Sequence, residues 1–268
     1  MEHNLENLNK TIVFAESILD DLKNLNDLKL EHKIVISLYR KLLEQTCGGY
    51  ISAINNLGGP LKLMVRATLE TYLALKYILQ KEKFIQRRAY SYYIGFLNDI
   101  KLDATNWSEH LELEETHRQH MELDLTHISK ILDSKLLKKV VAEWENTKRI
   151  SGKSYNPKWY SLYGGPQSLQ QLAKRLMKED PFIRLYYGSL SQEAHGYNSL
   201  EDTNYFHLID KPLSLKPIIS KLSPDHFGPI RAFCMAAVAE IIVYFFPERR
   251  NIYLEFANEI GMKTGIEI

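Results

Sequence analysis

The chain reads as an all-α protein, an irregular bundle of about eight to nine helices, on three observations. Apolar residues recur at three- and four-residue spacing through most of the 268 residues. Glycine (13) and proline (9) are sparse and clustered, so long stretches run without a breaker. No run of β-branched residues sustains the two-residue alternation of a half-buried strand.

The elements follow in order. Leu5, Leu8, Ile12, Ala15, Ile18, Leu19 and Leu22 predict a first helix over about residues 3–24. Asn26-Asp27 breaks and recaps the chain. A second helix runs through Leu30, Ile34, Leu38 and Leu42 toward Ala53, with Gly48-Gly49 expected to loosen its middle and Gly58-Gly59-Pro60 to stop it. Pro60 suits the first turn of a third helix carrying Leu61, Met64, Val65, Leu69, Leu73, Tyr77 and Ile78. A fourth, about 82–102, holds Phe84, Tyr90, Tyr92, Tyr93 and Phe96.

The segment 108–147 is long and highly charged, and reads as two helices or as one helical insertion projecting from the body. A loop over 151–157 leads to the aromatic Trp159-Tyr160-Ser161-Leu162-Tyr163, ended by Gly164-Gly165-Pro166. Ser168 opens an amphipathic helix with Leu169, Leu172, Ala173 and Leu176. Asp180-Pro181 caps and starts a helix that ends at His195-Gly196. After a long loop to about residue 222, Pro224 or Pro229 starts an apolar helix to Phe246, and Pro247 introduces the last. No linker composition divides these elements, so a single helical domain over 1–268 is expected.

Bulk composition narrows the function classes. The net charge of +1 advertises no global attraction to nucleic acid or membrane, so any basic surface is local. The run Ala232 to Phe246 includes Glu240 and falls short of the roughly 20 residues a membrane span requires, which reads as a buried helix and no membrane partner. Cys47 and Cys234 form neither a disulfide framework nor a zinc spacing, and the N-terminus does not resemble a signal peptide, so the cytoplasm is the expected compartment.

Polar, chemically able residues concentrate in two places. Arg66 and Glu70 are four apart on the third helix, among Met64, Val65, Leu69 and Leu73, and so share one stripe. Tyr187, Ser191 and His195 are likewise four apart, with Arg184 on the same side and Gly188 admitting close approach of another backbone. Placing such groups in an interior is costly unless they are paired or used. The bland alternatives are an ordinary ion pair for Arg66 and Glu70, and helix C-terminal capping for His195. His117, His120 and His127 with Asp124 read as a solvated face rather than a metal site, and no metal or cofactor is expected. Tyr90, Tyr92, Tyr93, Tyr155, Trp159, Tyr160 and Tyr163 lie in sequence near Arg87, Arg88, Lys153 and Lys158, a mixture that can stack bases and hold phosphates as well as pack.

Arg66-x-x-x-Glu70-x-Tyr72, Trp159-Tyr160-x-Leu162, Leu169-x-x-Leu172-Ala173 and Tyr187-x-x-Leu190-Ser191-x-x-x-His195-Gly196 together resemble an uncharacterised family of bacterial all-helical proteins, a domain of unknown function. That resemblance spans about residues 30–245 and implies an all-α fold without supplying a reaction. A more distant likeness is to HEPN proteins, helical bundles of which many are metal-independent ribonucleases in defence and toxin systems. It implies a HEPN-like core. The HEPN signature sets an arginine a few residues before a histidine on one helix, but Gly188, Ser189 and Leu190 are not basic. Arg184 is 11 residues before His195, roughly 16 Å along a helix axis, so the arginine has to come from elsewhere.

Two functions are therefore expected. In the first, a ribonuclease uses His195, Arg66 and Glu70 for catalysis and Tyr187, Ser191, Arg184, Trp159 and Tyr160 for binding RNA. In the second, a non-enzymatic helical module recognises a partner protein or small ligand. Homodimerisation or a companion protein accords with either.

Overall fold

The computed structural model describes residues 2–110, 114–152, 156–176, 217–219, 221–223 and 226–262. Among them the chain is all-α, with nine helices and no strand. They are α1 (Glu2–Lys23), α2 (Leu30–Ile54), α3 (Gly58–Leu79), α4 (Ile85–His110), α5 (Glu115–Leu132), α6 (Lys138–Ser151), α7 (Leu169–Leu176), α8 (Gly228–Phe245) and α9 (Arg250–Glu259). The helix expected from Pro181 to His195 and most of the expected loop to residue 222 lie outside the described residues.

The chain folds as two compact units, one of residues 1–79 and 173–268, the other of residues 80–172. Neither boundary has a linker's composition: the first passes from Leu79 into Gln80, the second falls inside α7.

In the first unit, α8 packs on α3, α1 and α2, α3 packs along α2, and α9 packs on α8. The apolar stripe of α1 is buried at Leu8, Ile12, Ala15, Ile18 and Leu22, as helical periodicity demands. Tyr39 of α2 is fully buried and donates its hydroxyl hydrogen bond to the Ala15 carbonyl at 2.9 Å, fixing α2 on α1. Leu61, Leu69 and Leu73 bury the inner side of α3, each worth about 1.5–3 kcal/mol of transfer free energy. Among the described residues, α8 is the one helix long and apolar enough to cross a bilayer by length and composition. Pro229, Ile230, Phe233, Cys234, Ala237, Val238, Ile241 and others along it are buried in the protein, so its apolar surface builds this core.

Three local expectations are revised by backbone chemistry. Asp27 breaks the chain in a left-handed conformation (φ 56), but the recapping falls later: the Lys29 N–H donates to Nδ1 of His32 at 3.3 Å. The ring of His32 also meets Tyr244 and Phe245 edge-on. Gly48 and Gly49 do not loosen α2, which runs unbroken to Ile54. They allow close packing instead, since a Cβ on Gly49 would overlap Ile230 Cδ1 and one on Gly48 would lie 3.1 Å from Met64 Sδ. Asn56 rather than the Gly-Gly-Pro sequence ends α2, in a left-handed turn (φ 55) with Leu57 N–H bonded to Ser52 O at 2.9 Å and Asn56 N–H to Ala53 O at 3.1 Å.

In the second unit, α4 carries Ala89, Tyr90, Ile94 and Leu97 inward and packs against α5 and α6. The charged segment expected over 108–147 comprises the end of α4, then α5 and α6, with a turn at 133–137. The helix α6 buries Val140 and Trp144, whereas α5 buries Ile128 alone. His117, His120 and His127 on α5 are exposed, as a solvated face requires. The α7 start is capped as its sequence predicts, with the Gln171 N–H bonded to Ser168 Oγ at 3.1 Å.

Candidate functional site

Arg66 and Glu70 project from the side of α3, while Val65, Thr68, Leu69, Tyr72 and Leu73 face inward. Arg66 Nε donates to Glu70 Oε1 at 2.9 Å, with side chains 22% and 36% exposed. The pair is therefore half-buried, wetter than its apolar neighbours suggest. Glu70 restricts the rotamers of Arg66 and aims a planar cation from a rigid helix, the preparation a phosphate-binding guanidinium needs. Lys62, also half-buried, lies one turn before Arg66 on this stripe. The Lys62-x-x-x-Arg66-x-x-x-Glu70 spacing makes this second cation legible in sequence, yet attention to the Arg–Glu pair alone passes over it.

A different ion pair shares α3. Lys76 Nζ bonds Glu240 Oε1 of α8 at 2.8 Å, with side chains 15% and 25% exposed, and lies 5.7 Å from the Tyr72 ring centroid. Tyr72 stacks on Phe233 of α8 at 6.0 Å. This second pair joins two helices; the first belongs to one helix.

Trp159 and Tyr160 belong to the second unit, in a single 3-10 turn, Trp159–Ser161. Trp159 meets Tyr92 edge-on at 5.1 Å and Tyr160 at 5.4 Å, and Tyr160 is buried. The turn seats against α4 at Gly95, where an added Cβ would come within 2.9 Å of Trp159 Cβ. Burial raises the Tyr92 phenol above its ordinary range. Arg184, Tyr187, Ser191 and His195 lie outside the described residues, and so does Tyr155.

Farther along the second unit, the guanidinium of Arg87 lies between two rings, 4.3 Å from the Phe84 centroid and 4.4 Å from that of Tyr163. Lys83 Nζ is 5.0 Å from the Phe84 centroid. Buried Arg88 lies 5.3 Å from the same ring and bonds Gln80 Oε1 at 3.4 Å. The mixture of aromatic and cationic residue types draws attention to Arg87 and Tyr163 in the sequence; the sandwich itself depends on a turn that no periodicity reveals.

Among the described residues the chain is built of helices, and it carries a half-buried arginine oriented by a glutamate and a cation–aromatic cluster. The chain belongs to DUF5677, a family of unknown function, whose model matches residues 32–209. The matched span contains Arg66, Glu70, Trp159, Tyr160 and His195, and leaves α1, α8 and α9 outside it. No curated protein and no solved structure matches the chain.

Proposed function

We propose that this protein is a metal-independent ribonuclease of a bacterial defence or toxin type, with a HEPN-like arrangement of its core. The observation that supports the reading best is the Arg66–Glu70 pair, a guanidinium oriented by a carboxylate at 2.9 Å and still in reach of water. In the proposed reaction His195 takes the proton of a ribose 2′-hydroxyl, and that oxygen attacks the adjacent phosphorus. Arg66 balances the charge that develops on the five-coordinate phosphate, with Glu70 holding it in place. The 5′-oxygen leaves with a proton taken from water, the protonated His195 returns its own proton to solvent, and a 2′,3′-cyclic phosphate remains. Tyr187, Ser191, Arg184, Trp159 and Tyr160 take the substrate-binding roles. A homodimer or companion protein would complete the cleft, and a reducing cytoplasm suits the free thiols Cys47 and Cys234.

Incubation of purified protein with a panel of structured and single-stranded RNAs tests the reading. Cleavage is expected, and His195→Ala is expected to abolish it while leaving the helical circular dichroism unchanged. Inactivity on every RNA, or undiminished cleavage by His195→Ala, counts against it. A binding module without turnover is favoured by a different observation: Val13 and Ile252 are 58% and 52% exposed near the stacked Phe14 and Phe256 of α1 and α9. Thermal stabilisation by a partner, with no RNA cleaved, selects that second reading.

A further inference from the structure

The start of α4 carries an unusual local charge in a nearly neutral chain. Lys81, Lys83, Arg87 and Arg88 stand within eight residues that hold one carboxylate, Glu82. The two arginines are handled differently. Arg88 is 6% exposed and bonded to Gln80, as an interior arginine should be. Arg87 is half-buried, forms no ion pair among the described residues, and has its Nε buried without a hydrogen-bond acceptor. Leaving a buried donor unmade costs about 1–3 kcal/mol. Among the described residues, the charge of Arg87 is met by the faces of Phe84 and Tyr163.

The second ring is held by an uncommon backbone. Tyr163 adopts a left-handed conformation (φ 58), which costs a non-glycine residue about 1 kcal/mol or more. Its N–H donates to Glu143 Oε1 at 2.9 Å, and Thr147 Oγ1 donates to the same oxygen at 3.3 Å. Gly165 lets the turn close, because a Cβ there would overlap the Tyr160 carbonyl oxygen. The residue Tyr163 is 38% exposed, with burial and the Glu143 carboxylate raising its phenol and Arg87 lowering it. A cation stacked between aromatic faces, with a second cation beside it and an accessible ring, matches how proteins hold a base and its phosphate.

We propose that Lys83, Phe84, Arg87 and Tyr163 form a binding site for a nucleoside phosphate unit. Arg87 and Lys83 take the phosphate, and Tyr163 stacks the base. The proposal does not rest on RNA cleavage, because it concerns binding by the second unit alone. A single-stranded nucleic acid and a free nucleotide present the same chemistry here.

Fluorescence anisotropy of a labelled single-stranded RNA oligonucleotide, with the full chain, provides the test. Binding is expected to weaken about 10-fold or more in Arg87→Gln and a few-fold in Lys83→Gln. Lys83→Gln should also lower the slope of log affinity against log salt by about one. Arg87→Lys, which keeps charge and loses the planar stack, should recover part of the loss. Lys83 is exposed, so its variant keeps the test valid if Arg87→Gln fails to fold. Competition by AMP assigns the site to mononucleotides, and competition by unlabelled oligonucleotide alone assigns it to strands; either sustains the proposal. Competition by inorganic phosphate as effective as AMP, or equal affinity and salt slope in folded Lys83→Gln and wild type, overturns it. Running the assay in His195→Ala protein separates loss of binding from absence of cleavage.

Discussion

The Lys76–Glu240 and Arg66–Glu70 ion pairs should respond very differently to removal of their carboxylates. Glu240→Gln keeps the side-chain shape and takes the negative charge from Lys76, whose side chain is 15% exposed. Hydrogen bonds to charged groups contribute about 1.5–3 kcal/mol, and partial exposure of Glu240 lowers the expected cost to about 1–2 kcal/mol. Glu70→Gln removes an i,i+4 partner that is 36% exposed within one helix, for an expected cost of about 0.3–0.5 kcal/mol. Urea unfolding followed by far-ultraviolet circular dichroism compares the two in one background. A lower midpoint for Glu240→Gln, with Glu70→Gln close to wild type, is the expected result. If Glu70→Gln costs as much as Glu240→Gln, the Arg66 pair is an element of the fold, and the argument that assigns it chemistry fails.

Other perturbations have equally definite outcomes. Gly165→Ala should cost about 2–4 kcal/mol and change the fluorescence of Trp159, because its Cβ would meet backbone atoms that cannot swing aside, including Leu162 O at 3.1 Å. Gly152→Ala, also a strained site (φ 60) but with open space around it, should cost about 1 kcal/mol. Thiol titration with a chromogenic disulfide should modify half-buried Cys47 first, and Cys234, with no exposed surface, only on unfolding. Burial, and secondarily the neighbouring Cys47, pushes the Cys234 thiol up to about 12 against the Thr46 hydrogen bond. A folded state that holds this proton more tightly than the unfolded chain keeps full stability below about pH 9 and loses up to about 4 kcal/mol as pH rises toward 12. Urea midpoints should therefore fall more steeply between about pH 9 and 10.5 in wild type than in Cys234→Ala, and parallel curves would refute the linkage.

Much of this architecture is written in periodicity. The Leu8, Ile12, Ala15, Ile18, Leu22 spacing fixes the buried side of α1, and Ser168 with Gln171 fixes the start of α7. What periodicity cannot carry is the use of small and polar residues between elements. Gly49 looks like a breaker because its function, admitting Ile230 from α8, is set by a residue far along the chain. Asn56 supplies the left-handed turn expected of the glycine pair two residues later. Arg66 and Glu70 are legible as a pair, but their half-exposure depends on which helices leave that side of α3 open. The Arg87 sandwich joins residues from opposite ends of the second unit through the backbone of Tyr163, and short-range spacing says nothing about it.

In the proposed reaction Arg66 and His195 act on one phosphate. A crystal structure of the full chain with an uncleavable 2′-deoxy dinucleotide tests it most directly. The Arg66 guanidinium is expected within about 3 Å of a phosphate oxygen, and the His195 ring next to the 2′ position of the same linkage. Finding the two side chains on opposite sides of the protein, or the dinucleotide bound with neither in contact, would contradict it.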